Sequence, residues 1–465
     1  MLHTLVPSFL ADLVWPEHRS SWKLHRTSYL DGLRGLASFV VFICHYTEEN
    51  HRYMVPTYGL NKDGDSSFVQ LPFLRIIFSG RPMVHIFFVI SGFVLSYKPL
   101  KSIHSYDIDK CYAVLSSSAF RRPIRLFAPC VVSTFIILVL IQAGWLYKPL
   151  PSVSEQMNDW LKTIFHNITW PWGWDALLNP RYDIHLWTIP IEFAHSMLLF
   201  LVVLMLARAK AIVRQSMVFM LMVYCLACGK WAAFEFFAGM FLAEIQIRQS
   251  TIPKYHELSA ESTAPMPRSI RSPILHYGVH ACIVLTWAFI GGWPNHDHKE
   301  TPGIRYLFEQ TPSAFVTNEH DMPQRFWFAV SAAFMVWSCG EVDFVRKFLE
   351  GGLAQYCGRI SYAIYIVHGP VLGLFQRWVV GHAHIPVRGV EGTPDFAPEV
   401  LGAGVKGFFG DANPAQRTLS WFVGLLILGP IVTWASDLFW RLVDLPVISL
   451  GRRLENACLD HSDSR

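Results

Sequence analysis

Ten apolar runs, each near the length needed to cross a bilayer, constrain this 465-residue chain more than any other feature. They fall at 29–47, 82–99, 124–146, 187–207, 213–228, 231–247, 274–292, 326–342, 357–378 and 419–440. A hydrocarbon core offers no water to backbone N–H and C=O groups, so runs of this length are expected as helices, which satisfy those groups internally. Composition agrees. The chain is 52% hydrophobic and only 16% charged, where a soluble protein carries roughly a quarter charged residues. The expected fold is all-α: a polytopic membrane bundle of about ten transmembrane helices over 29–440. It is preceded by a cytosolic or interfacial segment, 1–28, and followed by a cytosolic tail, 441–465. Residues 1–28 lack the apolar core and cleavage site of a secretory signal.

The charges between the runs orient them. Segments on the side of the termini hold about 23 Lys and Arg, against about 15 in the longer segments opposite. Both termini are therefore expected in the cytosol, in the endoplasmic reticulum or another endomembrane. Asn167-Ile168-Thr169 is a glycosylation sequon on the expected outer side. The loops 292–325 and 379–417 are expected to cap an opening into the bundle from outside, and 249–272 reads as an inner linker. The break at Gly229–Lys230 reads as a tight hairpin.

Several function classes fall away. A net charge of +4 without a basic arm gives no case for a nucleic-acid partner. Nine scattered cysteines, mostly within apolar runs, are no disulfide framework. Cys225 and Cys228 are spaced as a redox pair but lie in an expected span, where packing is the simpler role. The pairs His296/His298 and His382/His384 lack a third and fourth ligand, so no metal is expected. His104 and Asp109 stand alone in a short polar loop, and the chain has neither a nucleophile elbow nor a P-loop.

Against this background the polar residues inside the apolar runs stand out. Arg34 and His45 share the first run, where a charge at the bilayer centre costs about 2.5–3.5 kcal/mol or more. Eleven residues make very nearly three helical turns, so both side chains fall on one face, roughly 16 Å apart at about 1.5 Å per residue. One end of this helix is placed to hold an anion at the aqueous boundary and the other to hold a base in the bilayer. Snorkelling alone is the plain alternative for Arg34. An imidazole in apolar surroundings favours its neutral form, which is the form that takes a proton from a hydroxyl. Arg121, Arg122 and Arg125 cluster at the inner mouth of the third run, suited equally to anchoring and to phosphate binding. Ser91 and Gly92 are small enough to admit a neighbouring helix or a thin ligand. Glu192 lies in an apolar run after Pro190 and needs a partner, either His45 or the arginines. Ser361, Tyr365 and His368 make a polar stripe at helical spacing.

Taken together, YLDGLRGLASFVVFICHY, FFVISGFVLS, RRPIR, LWTIPIEF and GRISYAIYIVHGP occur in the order found in the acyltransferase-3 family of integral-membrane O-acyltransferases, which the chain resembles over 29 to about 440. The family's R-x(10)-H falls on Arg34 and His45, its F-F-x-x-S-G on Phe87, Phe88, Ser91 and Gly92, and its R-x-x-R on Arg122 and Arg125. The resemblance implies transfer of an acyl group, often acetyl, from acyl-CoA as co-substrate, with no permanently bound cofactor, to a hydroxyl on a small acceptor, a secondary metabolite by analogy with fungal members. With that chemistry His45 is the expected base and Arg34 joins it in the catalytic set, Glu192 being added from its place in the apolar run and not from a family motif. Arg121, Arg122, Arg125, Ser91 and Gly92 are expected to meet the coenzyme, and the residues themselves, without a family motif, point to Trp187, Tyr365 and His368 for the acceptor. Two rival classes fit the same residues. One is a proton-coupled transporter or exporter using Arg34, Glu192 and His45 as a relay. The other is a membrane receptor or scaffold.

Overall fold

The computed structural model describes residues 6–8, 24–61, 65–146, 148–259, 273–317, 322–378 and 413–459. Most of 1–28, 249–272 and 379–417 lies outside the described residues, as does the end of the tail. Every one of the ten apolar runs is a helix: α1 (Ser28–Asn50), α2 (Arg81–His104), α3 (Ile108–Gln142), α5 (Thr188–Leu206), α6 (Ala211–Ala227), α7 (Trp231–Ser259), α8 (Pro273–Gly291), α9 (Met322–Glu341), α10 (Gly352–Trp378) and α11 (Pro414–Phe439), with α4 (Val153–Thr163) and α12 (Leu445–Cys458) completing the longer elements. No strand occurs among the described residues. By length and apolar composition, five of these helices qualify as membrane crossings, or six when α9 and the bent helix Asp343–Leu349 behind it are taken as one broken span.

The helices that fall short of that test include α1, α7 and α10. They carry Asp31, Arg34 and His45, Glu235 and Glu244, and Arg359, Ser361, Tyr365 and His368 respectively. Glu235, Glu244, Ser361 and His368 are buried against other helices, so much of the polarity that weakens the hydropathy signal belongs to the bundle interior. The outer surface is apolar where the longer runs meet it: α3 exposes Phe135, Ile136 and Val139, and α5 exposes Leu201, Leu204 and Met205. The chain is a membrane protein.

Helices in lipid associate through close packing rather than the hydrophobic effect, so small residues mark the tightest crossings. Gly35 and Gly358 bring α1 and α10 backbone to backbone. A Cβ at Gly35 would overlap the Gly358 amide, and one at Gly358 would overlap the Asp31 carbonyl. Above this crossing, Phe42, Tyr46, Ile360, Ile364, Trp421 and Val432 pack α1, α10 and α11 into one core. A larger core of Ile86, Phe88, Phe93, Phe236, Ala332 and Val336 joins α2, α7 and α9. The hairpin between α6 and α7 turns on Gly229 at φ +70°, as its sequence suggested.

Local chemistry starts the helices where the sequence changes character. Asp107 caps α3 by accepting from the Lys110 N–H at 3.0 Å, and Asn413 caps α11 by accepting from the Gln416 N–H at 2.9 Å. With 35 residues, α3 is about 52 Å long, well over a hydrocarbon core of about 30 Å. Measured back from Gln142, Arg125 lies roughly 26 Å along the axis. Arg125 thus sits about one hydrocarbon thickness from the far end of α3, which is longer than one crossing requires. Beside the arginines α12 packs on α3, with Arg121 Nε 3.1 Å from Glu455 Oε2.

Candidate active site

Because Gly35 and Gly358 lock α1 against α10, two polar stripes face each other. At one end Arg34 donates from Nε to Ser361 Oγ at 2.9 Å and from Nη2 to the Gly358 carbonyl at 3.2 Å and Asp31 Oδ1 at 3.0 Å. Arg34 is bound between helices, which sets aside simple snorkelling. Near it lie the fields of Arg125, Glu192 and Asp444. Glu192 takes the arginine side rather than His45: its Oε1 accepts from Arg122 Nη2 at 2.6 Å and from Ser91 Oγ at 3.0 Å. Arg122 Nε also reaches Ser196 Oγ at 3.1 Å. The three arginines therefore divide. Arg121 anchors α12, Arg122 is tied to Glu192, and Arg125 is exposed with no ion-pair partner among the described residues. Gly92 is used for packing: the Phe236 backbone fills the space a Cβ would need.

Three turns along α1, His45 meets His185 and His368. Ring centroids are 4.1 Å apart for His45–His185, 5.3 Å for His45–His368 and 4.5 Å for His185–His368. His185 is anchored before it reaches the cluster. Asp183 caps the short helix Ile184–Trp187, and its Oδ1 accepts from both the His185 backbone N–H at 3.0 Å and the ring Nδ1 at 2.7 Å. His368 Nδ1 donates to the Ile364 carbonyl at 2.9 Å. Tyr365 sits one turn back, bonded to Thr188 Oγ1 at 2.7 Å and to the His185 carbonyl. Gly369 makes room for the pair, since a Cβ there would lie 2.5 Å from His185 Nδ1 and 3.0 Å from Asp183 Oδ1.

A cavity of about 240 Å³ opens onto this cluster. His45 and His185 form part of its wall together with Val41, Val84, Leu177, Trp187 and Phe328, and with the charged Glu48, Arg81 and Arg325. Trp187 also faces the Arg325 guanidinium, 6.0 Å from its ring centroid. Behind His85, another wall residue, the buried Glu235 carboxylate holds its Nδ1. Arg34 is not part of this wall. It stands below, with the Ser361–Tyr365–His368 stripe of α10 running between the two poles.

His45 and His368 stand out in the sequence, whereas His185, Asp183 and the His85–Glu235 pair do not. The readable signal was Asp183-x-His185 immediately before Leu186-Trp187-Thr188: an acid and an imidazole two residues apart at the entrance to an apolar run. His104, discounted in sequence, is engaged in a structural cluster, with Nε2 2.7 Å from Glu244 Oε1, which also accepts from Arg214 Nη2 at 2.7 Å.

The fold and the site define a membrane-bound helical bundle with a cationic pole and an imidazole pole along one interhelical seam, and similarity to known proteins says which class it is. The chain belongs to the acyltransferase domain family, whose model matches residues 27–441, and it is an acyltransferase. It is 31% identical to the O-acetyltransferase PaAT-1 of Phomopsis amygdali over 404 residues, covering 77% of this chain and 74% of that protein. Similarity also extends to the acyltransferase R4 of a Phoma species, 26% identical over 92% of this chain and 95% of the relative. The acyltransferase clz18 of Cochliobolus lunatus is 24% identical over 74% and 82%. No solved structure matches.

Proposed function

We propose that this chain transfers an acyl group, acetyl first among candidates, from acyl-CoA to a hydroxyl of a small-molecule acceptor at the imidazole cluster of His45, His185 and His368. The observation that carries this reading is the pairing of that cluster with the arginine pole on one seam, roughly 16 Å apart at about 1.5 Å per residue. A coenzyme with a phosphate-rich head and a long thin arm has those dimensions and the complementary negative charge. Arg125, with Arg34 and Arg122 behind it, meets the phosphates, and the arm follows the α10 stripe to the cluster. The acceptor enters the cavity from the other side, its apolar body against Val41, Val84 and Trp187. Its hydroxyl oxygen attacks the thioester carbonyl, the C–S bond breaks, and the hydroxyl proton ends on the departing sulfur. The relative named an O-acetyltransferase supports acetyl as the group moved.

In this reading the bundle crosses the membrane about ten times with both termini in the cytosol, in the endoplasmic reticulum or another endomembrane, and Asn167 carries a glycan on the far side. The acceptor is a secondary metabolite of the producing cell. The test is incubation of the purified protein with isotopically labelled acetyl-CoA and fractionated extracts, with labelled ester sought by mass spectrometry. His45→Ala, folded and inserted, is expected to lose at least about 100-fold in turnover. Near-normal turnover in that variant would move the chemistry elsewhere.

A further inference from the structure

The imidazole cluster has an electrostatic problem that its own hydrogen bonds create. A neutral imidazole carries a single N–H. In His185 that N–H is on Nδ1, committed to Asp183 at 2.7 Å. In His368 it is also on Nδ1, committed to the Ile364 carbonyl at 2.9 Å. Both Nε2 atoms are then bare acceptors, and both are buried with no hydrogen-bond partner. The His185 side chain is 7% exposed and His368 is fully buried. His45 brings a third ring, so that one nitrogen from each residue lies within 4.8 Å of the others. Acceptors converging in an apolar interior are costly to leave unsatisfied, by about 1–3 kcal/mol each. A donor or a positive centre between them would satisfy both at once.

We propose that His45, His185 and His368 are the three protein ligands of a divalent cation of zinc-like chemistry, oriented by Asp183 and by the Ile364 carbonyl, with the fourth position open to the acceptor cavity. Three neutral imidazoles are the donor set that borderline ions such as Zn²⁺ prefer, and three ligands with one open position is the pattern of catalytic rather than structural sites. Ligating histidines characteristically give their other ring N–H to a carboxylate or a backbone carbonyl, which is how His185 and His368 are held. Nitrogen–metal bonds of about 2.0–2.1 Å in a tetrahedral site place ligand nitrogens about 3.4 Å apart. His45, the most exposed of the three at 27% and 3.9 Å from Glu48 Oε2, has the freedom to close that gap. Sequence alone did not suggest this set, because its members come from α1, from the turn before α5 and from α10.

The inference rests on the reading that this cluster activates the acceptor hydroxyl, and it states how. A cation there binds the hydroxyl oxygen and acidifies it, so oxygen attacks the thioester carbonyl as sulfur leaves. The proton still ends on sulfur, and no further reactant is needed.

The test is the metal content of the full-length protein, purified in detergent without chelator and measured by plasma mass spectrometry. About one zinc-class ion per chain is expected, falling below one-tenth in His185→Ala and in His368→Ala. Asp183→Asn should weaken Zn²⁺ affinity about 10- to 100-fold by calorimetry. Protein reloaded with Co²⁺ should show the visible bands of a tetrahedral nitrogen site. Folded wild-type protein that holds no transition metal and takes up neither Zn²⁺ nor Co²⁺ would overturn the proposal, whatever the variants do. If that metal-free protein still transfers acetyl from acetyl-CoA, the acyltransferase reading survives without the cation. A loaded protein that transfers from no thioester would do the reverse.

Discussion

Arg122 and Arg125 lie one turn apart on α3, yet their removal should have different consequences. Arg125 is exposed and unpaired among the described residues, so Arg125→Ala is expected to raise the KM for acyl-CoA about tenfold, equivalent to one charge-assisted hydrogen bond, with the acceptor KM and the melting temperature unchanged. Arg122 neutralises Glu192 at 2.6 Å, with side chains 11% and 19% exposed. Arg122→Ala leaves that carboxylate uncompensated, and a destabilisation of about 3–5 kcal/mol is expected, visible as a lower melting temperature before any kinetics are read. An equal rise in donor KM with no thermal effect in either variant would make both simple phosphate ligands. A second residue-scale expectation concerns His51, just beyond α1. Burial pushes its imidazole down to about 3, while Tyr46 Oη at 2.7 Å and Tyr53 Oη at 3.1 Å hold the ring. The unfolded chain takes up that proton near pH 6.5 and the folded chain does not, so the stability His51 contributes is present above pH 6.5 and is lost as pH falls toward 3. His51→Gln should therefore flatten the fall of melting temperature with acidity in that window, and an unchanged slope would place the acid sensitivity elsewhere. These residues also show what sequence can reveal. Arg34 and His45 were legible because one helix carries both, and His368 because it closes a stripe at helical spacing. Asp183 and His185 were not, because their meaning depends on α10 arriving beside them.

At the scale of elements, the site is a consequence of how closely α1 and α10 approach. The Gly35–Gly358 contact sets the axial register that lays Arg34 on Ser361 and His45 on His368. A larger side chain must force the helices apart, so Gly35→Leu is expected to cost at least about 1–3 kcal/mol by overpacking and to reduce turnover by separating the imidazoles. Gly278 on α8 supplies the control, since nothing lies within 4 Å of a Cβ built there. Gly278→Leu should not destabilise, helix propensity favouring leucine there by up to about 0.8 kcal/mol, and should leave turnover intact. Equal losses in both variants would mean that the added bulk of leucine anywhere in the bundle, not the crossing, is being measured, since leucine is the better helix former at both positions. The apolar runs foretold the helices themselves, because twenty apolar residues have few other stable conformations in lipid. They did not foretell which helices pair, nor that those bearing polar stripes would look least like membrane spans.

For the whole molecule, the proposed reading of the two poles predicts a vectorial enzyme. The first half of α3 and α12, joined by Arg121 and Glu455, stand at the arginine end. The segment between α3 and α5, with α4, Asn167 and the Asp183–His185 turn, stands at the other. If coenzyme enters from the arginine end, a donor that does not cross membranes must be supplied on the side that carries the C-terminal helix. In sealed vesicles of known orientation, acetyl-CoA outside should support transfer only where a C-terminal epitope is accessible to protease outside. In the opposite orientation the rate should fall at least tenfold and recover when detergent opens the vesicles. Glycosidase should reach Asn167 only from the face where the donor fails, and Asn167→Gln should abolish the mobility shift that the enzyme produces. Equal rates from both faces of tight vesicles would mean that donor and acceptor share one entrance, and the seam between α1 and α10 would then hold the bundle together without conducting the coenzyme's arm.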